Sequence, residues 1–280
     1  MAVILTTKVS THVDEMFTTE SKKSLVTNND FDWTGAHTIK INKVNTVAMN
    51  DYDRDGTKGQ GSRYGALGKV ENTQEEMTLK KDRSFTFVID KLDEDETGGV
   101  IAGASALARQ QREVIIPEVD AYTYGVMAAG AGTKVTNVTL APENIYDEII
   151  KGTEVLDNAE VPEVGRTITV TPEVYRMMKK APDLHLDSDI AEEQRLKGVI
   201  GLVDGLPVIK VPKNRLPEGL GFMITHPVAT VAPTKLDDYK IHQDPPGISG
   251  ELVEGRIVYD AFVLDNKKMA IYCVNAAATA

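Results

Sequence analysis

The sequence predicts an α+β fold in which an extended hairpin and one very long helix are attached to an α/β unit. Three observations carry this. Two segments of alternating polarity flank residues 50–68, which hold five glycines and almost no aliphatic side chains. A 3.6-residue apolar period then runs from about Gly98 to Gly130. Finally, residues 139–234 interleave short apolar strands with helical stripes and turn residues.

Residues 1–35 are rich in Thr, Ser, Asn and Asp and hold little that could fold alone. They read as an extended or partly helical arm that needs a partner surface. Trp33, the only tryptophan, is expected to plug a local apolar gap. In 37–48 Ile39 and Ile41 share one face and Lys40 and Asn42 the other, the period of a half-buried strand. Residues 50–68 cannot form a core and read as a long exposed loop. Alternation resumes at Val70 and again at Met77 and Leu79, so the two strands and the loop make a hairpin. A loop longer than about 12–15 residues is usually functional or disordered.

Residues 84–90 form the next strand, with Phe85, Phe87 and Ile89 on one face. The acids Asp93 to Glu96 follow, where carboxylates would favour the positive end of a helix dipole. Val100, Ala104, Leu107, Gln111, Ile115, Val119, Tyr122 and Val126 mark the long helix, and Pro117 predicts a kink or break in it. At about 1.5 Å per residue this helix exceeds 40 Å, so it reads as a spine to which other parts attach. It stops in the glycine-rich stretch 128–133.

Beyond it, Pro142 is expected to open a helix whose stripe is Ile145, Ile149 and Leu156. Arg166 to Val170 is a short strand, and Thr171-Pro172-Glu173 supplies an N-cap, a first-turn proline and an acid. Residues 183–196 are polar and acidic and read as a loop; strands are expected on either side of Gly205 and over 221–227. Residues 251–275 are expected to close the chain as an antiparallel pair turning at Asn266-Lys267.

The 280-residue chain is 41% hydrophobic and 26% charged, which excludes wholesale disorder and collagen-like structure. No repeat is visible at solenoid periods. No apolar run approaches the about 20 residues of a membrane span. Ala2 to Leu5 is too short for a signal-peptide core, and the lone Cys273 forbids an internal disulfide or a cysteine metal cluster. The chain therefore reads as folded in the cytosol. A net charge of −11 disfavours general binding of nucleic acid. Charge also divides by segment. In 37–69 six basic residues against three acids leave +3; in 70–96 four against nine leave −5. Such neighbouring stretches could pair between copies of the chain, or stand as ordinary solvated faces.

Chemical signatures are sparse. Asp51, Asp53, Asp55 and Gly56 match the opening of a calcium loop, but its twelfth position is Ser62 rather than Glu, and the flanks are strand-like. A polar turn with Asp bonding its own backbone is the competing reading. GAGTK (130–134) lacks the spacing of a phosphate loop, and GISG (247–250) is not a nucleophile elbow. No two of His12, His37, His185, His226 and His242 stand three or four apart. Cys273 reads as a small buried hydrophobe. No catalytic, cofactor-binding or metal residue is therefore assigned, and the chain is not expected to be an enzyme.

Several stretches together resemble the major capsid proteins of tailed bacteriophages, whose fold encapsulins and the herpesvirus capsid floor share. DWTGAHTIKINKV followed by MNDYDRDG resembles the strand entering that family's extended loop. SFTFVIDKLDEDET and then AGASALARQQREVIIPEVDAY resemble a strand leading into the spine helix. GLVDGLPVIKVP and the closing strands resemble the axial-domain edge and the peripheral domain. The resemblance implies an N-terminal arm over 1–35 and an extended loop over 36–83. It implies a peripheral domain with the spine over 84–132, an axial domain over 133–234, and peripheral C-terminal strands over 235–280. It further implies self-assembly through hexamers and pentamers into an icosahedral shell around double-stranded DNA, without sequence-specific contacts and away from membranes. The virion capsid would be its final location, after assembly in the host cytoplasm with a separate scaffolding protein and a portal. An encapsulin-type shell around a cargo enzyme is the alternative within the fold. A calcium-binding or hydrolytic enzyme on 139–234 is the alternative outside it.

Overall fold

A computed structural model describes residues 20–28, 31, 33, 38–44, 46–56, 62–66, 68–96, 102–182 and 199–277. Most of the expected arm, including His12, and the loop 183–196 with His185 lie outside the described residues, as does His37. The chain divides into two compact units, residues 33–79 and the remainder.

The smaller unit is the expected hairpin. β1 (Thr38–Val44) and β2 (Asn72–Thr78) pair antiparallel from Thr38↔Thr78 to Val44↔Asn72. The charge split is resolved within the ladder. Lys43 Nζ lies 2.7 Å from Glu75 and Lys40 Nζ 3.6 Å from Glu76, so basic β1 faces acidic β2 inside one chain.

The larger unit opens with β3 (Lys81–Asp90), whose Phe85, Phe87 and Ile89 share a face as expected. The acids after it do not begin the spine. They form a separate helix, α1 (Lys91–Glu96), whose Leu92 N–H donates to Asp90 at 2.8 Å. The spine starts later, as α2 (Gly103–Gln110), without a side-chain cap from its own flank. Its Gly103 N–H donates instead to Glu251, 148 residues away, at 2.6 Å. No local pattern could supply that partner.

The spine continues through a π-helical turn, Gln111–Ile115, into α3 (Ile116–Gly130). Pro117 is thus met by a wider turn rather than a break. Proline lacks an N–H and its ring crowds the carbonyl four residues back, and the i→i+5 turn from Gln111 O to Ile116 N–H opens room there. β4 (Thr133–Val138) follows. Pro142 does not open the next helix; it sits in a turn closed by Asn144, whose side chain accepts from Ala141 N–H and donates to Thr139 O. The helix α4 is Ile145–Asn158.

The next elements are β5 (Thr167–Val170), α5 (Pro172–Met178), β6 (Val199–Val203), β7 (Leu206–Lys210), β8 (Leu220–Thr225) and β9 (Thr230–Val231). Thr171 caps α5 as expected, accepting from Val174 N–H at 3.3 Å. β6 and β7 form a hairpin in which Asp204 and Gly205 both have positive φ, the geometry of a tight two-residue turn.

Four strands close the chain: β10 (Thr234–Gln243), β11 (Gly250–Tyr259), β12 (Phe262–Val263) and β13 (Ile271–Ala276). The expected pairing of the last two long strands does not occur. β11 lies between β10 and β3 in a three-stranded antiparallel sheet, whereas β13 lies between β4 and β8. Their residue patterns explain this. Ile271, Tyr272, Cys273 and Val274 are all buried, so β13 needs cover on both faces. β11 needs cover on only one. Polar β10 was not expected; its Tyr239 packs tilted against Phe85 over Gly255, at 6.0 Å between ring centroids.

The six-stranded mixed sheet runs β4-β13-β8-β5-β7-β6. One face carries Ile168, Val208, Phe222, Ile224, Tyr272 and Val274 against α4 and α5. The other carries Ile209, Met223, Ile271 and Cys273 against Tyr124 and Met127 of the spine. Gly152 lets α4 close on this sheet: a Cβ there would stand 2.8 Å from Ile224 and Tyr272. Among the described residues no helix is long and apolar enough to cross a membrane.

Candidate assembly surfaces

The hairpin's legs stay together well past their ladder. Val47 packs against Gly68 and Asn50 against Gly65, and Asp53 N–H donates to Arg63 O at 2.8 Å. A side chain at Gly65, where φ is +87°, would collide with Asn50. At the tip, Asp53 accepts from Gly56 N–H at 3.0 Å. The DYDRDG motif is therefore an aspartate turn on its own backbone, with Asp51 and Asp55 exposed. Among the described residues no three His, Cys, Asp or Glu side chains group as metal ligands.

Beside exposed polar residues such as Asp51, Arg54 and Asp55, this part of the hairpin leaves several large apolar side chains outside. Val44, Val47, Met49, Tyr52, Tyr64 and Val70 are exposed, Met49 at 99% and Tyr64 at 77%. Tyr52 and Tyr64 form an edge-to-face pair with centroids 5.1 Å apart. Six large exposed apolar side chains on so small a unit are of the kind that marks interaction sites. Periodicity located the loop but could not show that its legs close and turn these side chains outward.

The hairpin re-enters the larger unit at Lys80, and that point is pinned. Asp260, 3% exposed, accepts from Lys80 N–H at 2.7 Å, Tyr122 Oη at 2.8 Å and Ala261 N–H at 2.8 Å. One carboxylate thus ties Lys80, the residue at which the larger unit resumes, to the spine and to the end of β11. Burial, then the hydrogen bond to Asp260 and its charge, push the Tyr122 phenol up from 10.0 to about 12. A phenol raised in this way keeps its proton in the folded chain after the unfolded chain has lost it. Its stabilising contribution is complete below pH 10 and is lost as pH climbs from 10 towards about 12. Thermal melts across this range should show a falling midpoint, and Tyr122→Phe should flatten part of the fall. Tyr124, Tyr239, Tyr259, Tyr272 and the Cys273 thiol are pushed in the same direction and add to the fall, so the variant removes only part of it. An equal fall in the variant would show that Tyr122 does not report on this cluster.

The described part of the arm behaves differently from its expectation. Residues 20–28 pack on their own chain: Val26 is fully buried beside Tyr124 and Met127, and Asn28 bridges to Val231. At the start of this segment Arg215 Nη1 lies 2.9 Å from Asp120 Oδ2, and both side chains are 2% exposed. The same nitrogen donates to Glu20 O at 3.3 Å, and Ser21 Oγ donates to Asp120 Oδ1 at 2.5 Å. Burial pushes the Asp120 carboxyl up, while Ser21 and Arg215 pull it back down.

The remaining motifs are absorbed by the framework. Gly132 of GAGTK donates its N–H to Lys268 O at 2.8 Å, and Lys134 closes on Ala129 O at the end of the spine. Cys273 is buried, and its thiol is pushed up to about 11, away from nucleophilic use.

No family model matches the chain, and no curated protein matches its sequence. Solved structures do match. A chain from the structure titled "Asymmetric unit of bacteriophage PhiM1 mature capsid" is 15% identical with a TM-score of 0.72, the match covering 99% of this chain and 93% of that one. A chain from the capsid structure of cyanophage P-SCSP1u is 13% identical, with a TM-score of 0.70 and coverage of 98% and 93%. A chain of Mycobacterium phage Che8 is 20% identical, with a TM-score of 0.68 and coverage of 97% of both. The chain thus has the fold of tailed-phage capsid chains over nearly its whole length.

Proposed function

We propose that the chain is the major capsid protein of a tailed phage and closes through hexamers and pentamers into an icosahedral shell around double-stranded DNA. The observation that carries this reading is the set of exposed apolar side chains on the hairpin unit, on a chain that matches phage capsid chains over nearly its whole length. A soluble monomer gains nothing from displaying Met49, Tyr52 and Tyr64 together, whereas a shell subunit buries such a patch on a neighbour. The acidity of the chain fits this role, because a shell wall encloses DNA without tight, specific contacts to it. On this reading the partners are other copies of the chain, a separate scaffolding protein and a portal, and assembly takes place in the host cytoplasm.

The test is direct. The purified chain, alone or with its scaffolding protein, is expected to form closed particles of uniform diameter by negative-stain microscopy and sedimentation. A species that stays monomeric at every concentration and salt would end the proposal. Particles holding a cargo enzyme rather than DNA when recovered from the native source would assign the chain to a nanocompartment instead.

A further inference from the structure

We propose that Lys22, Lys179 and Lys210, which gather around the Tyr175 ring and the end of β7, form a contact site for the phosphate backbone of double-stranded DNA. The inference rests on the shell reading for where such DNA would lie and on geometry for the site itself.

The three lysines come from separate parts of the larger unit. Lys22 belongs to the amino-terminal segment, Lys179 ends α5 and Lys210 ends β7. Lys179 Nζ stands 5.1 Å and Lys210 Nζ 5.3 Å from the centroid of the half-buried Tyr175 ring. Lys22 Nζ donates to Lys210 O at 3.1 Å, which brings a third ammonium to the end of the same strand. Two ammonium groups held against one ring are no more than about 10 Å apart, the screening length at about 0.1 M salt, so they repel. The electron-rich face of the ring offsets part of that repulsion but carries no full charge. The carbonyl end of α5 favours a cation at Lys179, yet it explains neither Lys22 nor Lys210. Among the described residues neither Lys179 nor Lys210 forms an ion pair, and the carboxylates of Asp120 and Glu20 are engaged by Arg215 and Arg112. Burial, then the charges of Lys210 and Arg215, push the Lys22 ammonium below its usual range. The folded chain thus gathers positive charge here against resistance, and a bound anion would remove that resistance.

The chemistry selects the anion. Lysine is a compact, strongly hydrated point charge that meets phosphate oxygens without demanding one geometry. Lys179 and Lys210 are exposed, so a stiff duplex can reach them. A chain of net −11 repels a polyanion at long range, and only a local positive site can hold its backbone at short range. Such contacts ignore base sequence and weaken with salt, which suits a wall around DNA of any sequence.

The experiment titrates the full chain, as dispersed subunits, with a labelled duplex of about 20 base pairs. Three phosphate contacts predict about fortyfold weaker binding at about 200 mM than at about 50 mM salt. Lys179→Gln with Lys210→Gln should reduce that ratio to about three- to fourfold and weaken binding at low salt by about tenfold or more. Lys235→Gln with Lys268→Gln removes the same charge from two other exposed positions and should leave the ratio near the parent's. Equal losses in the two double variants, or a parent that binds no duplex at low salt, overturn the site. So does displacement of the duplex by polyglutamate as effectively as by unlabelled duplex, which would assign the lysines to an acidic protein instead. If the first double variant does not fold, Lys179→Gln alone carries the test: a ratio of about twelvefold is expected, and an unchanged ratio refutes the site. A parent that binds the duplex as described but never forms closed particles sinks the shell reading and leaves the site standing.

Discussion

Deleting residues 52–66 is expected to leave a folded subunit that no longer forms closed particles. The seven paired positions of β1 and β2 survive the deletion, because the ladder ends at Val44↔Asn72. None of the core side chains around the six-stranded sheet comes from the hairpin unit. The subunit should therefore melt within a few degrees of the parent. Assembly loses far more. If the hairpin unit buries roughly 600 Å² of apolar surface on a neighbour, the gross gain is about 15 kcal/mol at about 25 cal/mol per Å². Ordering and association costs of about 4–15 kcal/mol must be met from that sum. On the shell reading, loss of the tip turns the balance unfavourable at every contact between copies.

A milder form separates the apolar patch from the chain length. Tyr64→Ser removes a 77% exposed ring and so should change stability by no more than about 0.5 kcal/mol. Removing such an anchor from an interface typically costs about 2 kcal/mol, or roughly thirtyfold in affinity per contact. Sedimentation as a function of concentration reads this as a rise in the threshold for particle formation. Normal particles from the deletion variant, or an unchanged threshold for Tyr64→Ser, would remove the hairpin from the interface.

Replacing Asp260 by alanine is expected to destabilise the subunit itself. The substitution strands three donors, Lys80 N–H, Ala261 N–H and the Tyr122 hydroxyl, at a position only 3% exposed. Leaving buried donors unpaired costs about 1–3 kcal/mol apiece, and water reaches some of them, so a total of about 3 kcal/mol is expected. For a chain of this size that lowers the melting midpoint by roughly 6–10 °C. Asp260→Asn keeps one oxygen as acceptor and should recover about half of the loss. Amide exchange should also quicken at Lys80 and Lys81, where the hairpin joins the larger unit. A midpoint within a degree of the parent for Asp260→Ala would show that the carboxylate is not what holds this junction.

The two effects sit on different links of the same chain of causes. On the shell reading the hairpin tip matters to association and hardly to folding, because Met49, Tyr52 and Tyr64 remain largely exposed in the single chain. Asp260 matters to folding of the larger unit, because it accepts from Tyr122 and Lys80, 138 and 180 positions before it in sequence. A defect in particles at normal stability therefore points to the tip, and one with lowered stability points to the root.

What could be read from residues alone was local. Alternation placed Ile39 and Ile41 on one face of a strand and Phe85, Phe87 and Ile89 on one face of another; a glycine-rich run separated two legs of a hairpin. A 3.6-residue stripe identified the spine, and Thr171-Pro172 identified the start of a helix. Each of these depends on neighbours within about four positions, where steric preference and backbone hydrogen bonding act before any tertiary contact.

Tertiary structure decided the rest, because it depends on surfaces that meet only after collapse. Glu251 caps the spine at Gly103, whereas the nearby acids Asp93 to Glu96, expected at that position, form α1. β13 leaves β11 for the middle of another sheet, since four consecutive buried side chains need cover on both faces. Residues 20–28 lie on their own core, held by a guanidinium 195 positions downstream of Glu20. Hydrophobic burial is non-directional and can be satisfied by many pairings, so sequence alone leaves the choice of partner open. Paired polar groups at the few points where elements cross then select one of those pairings.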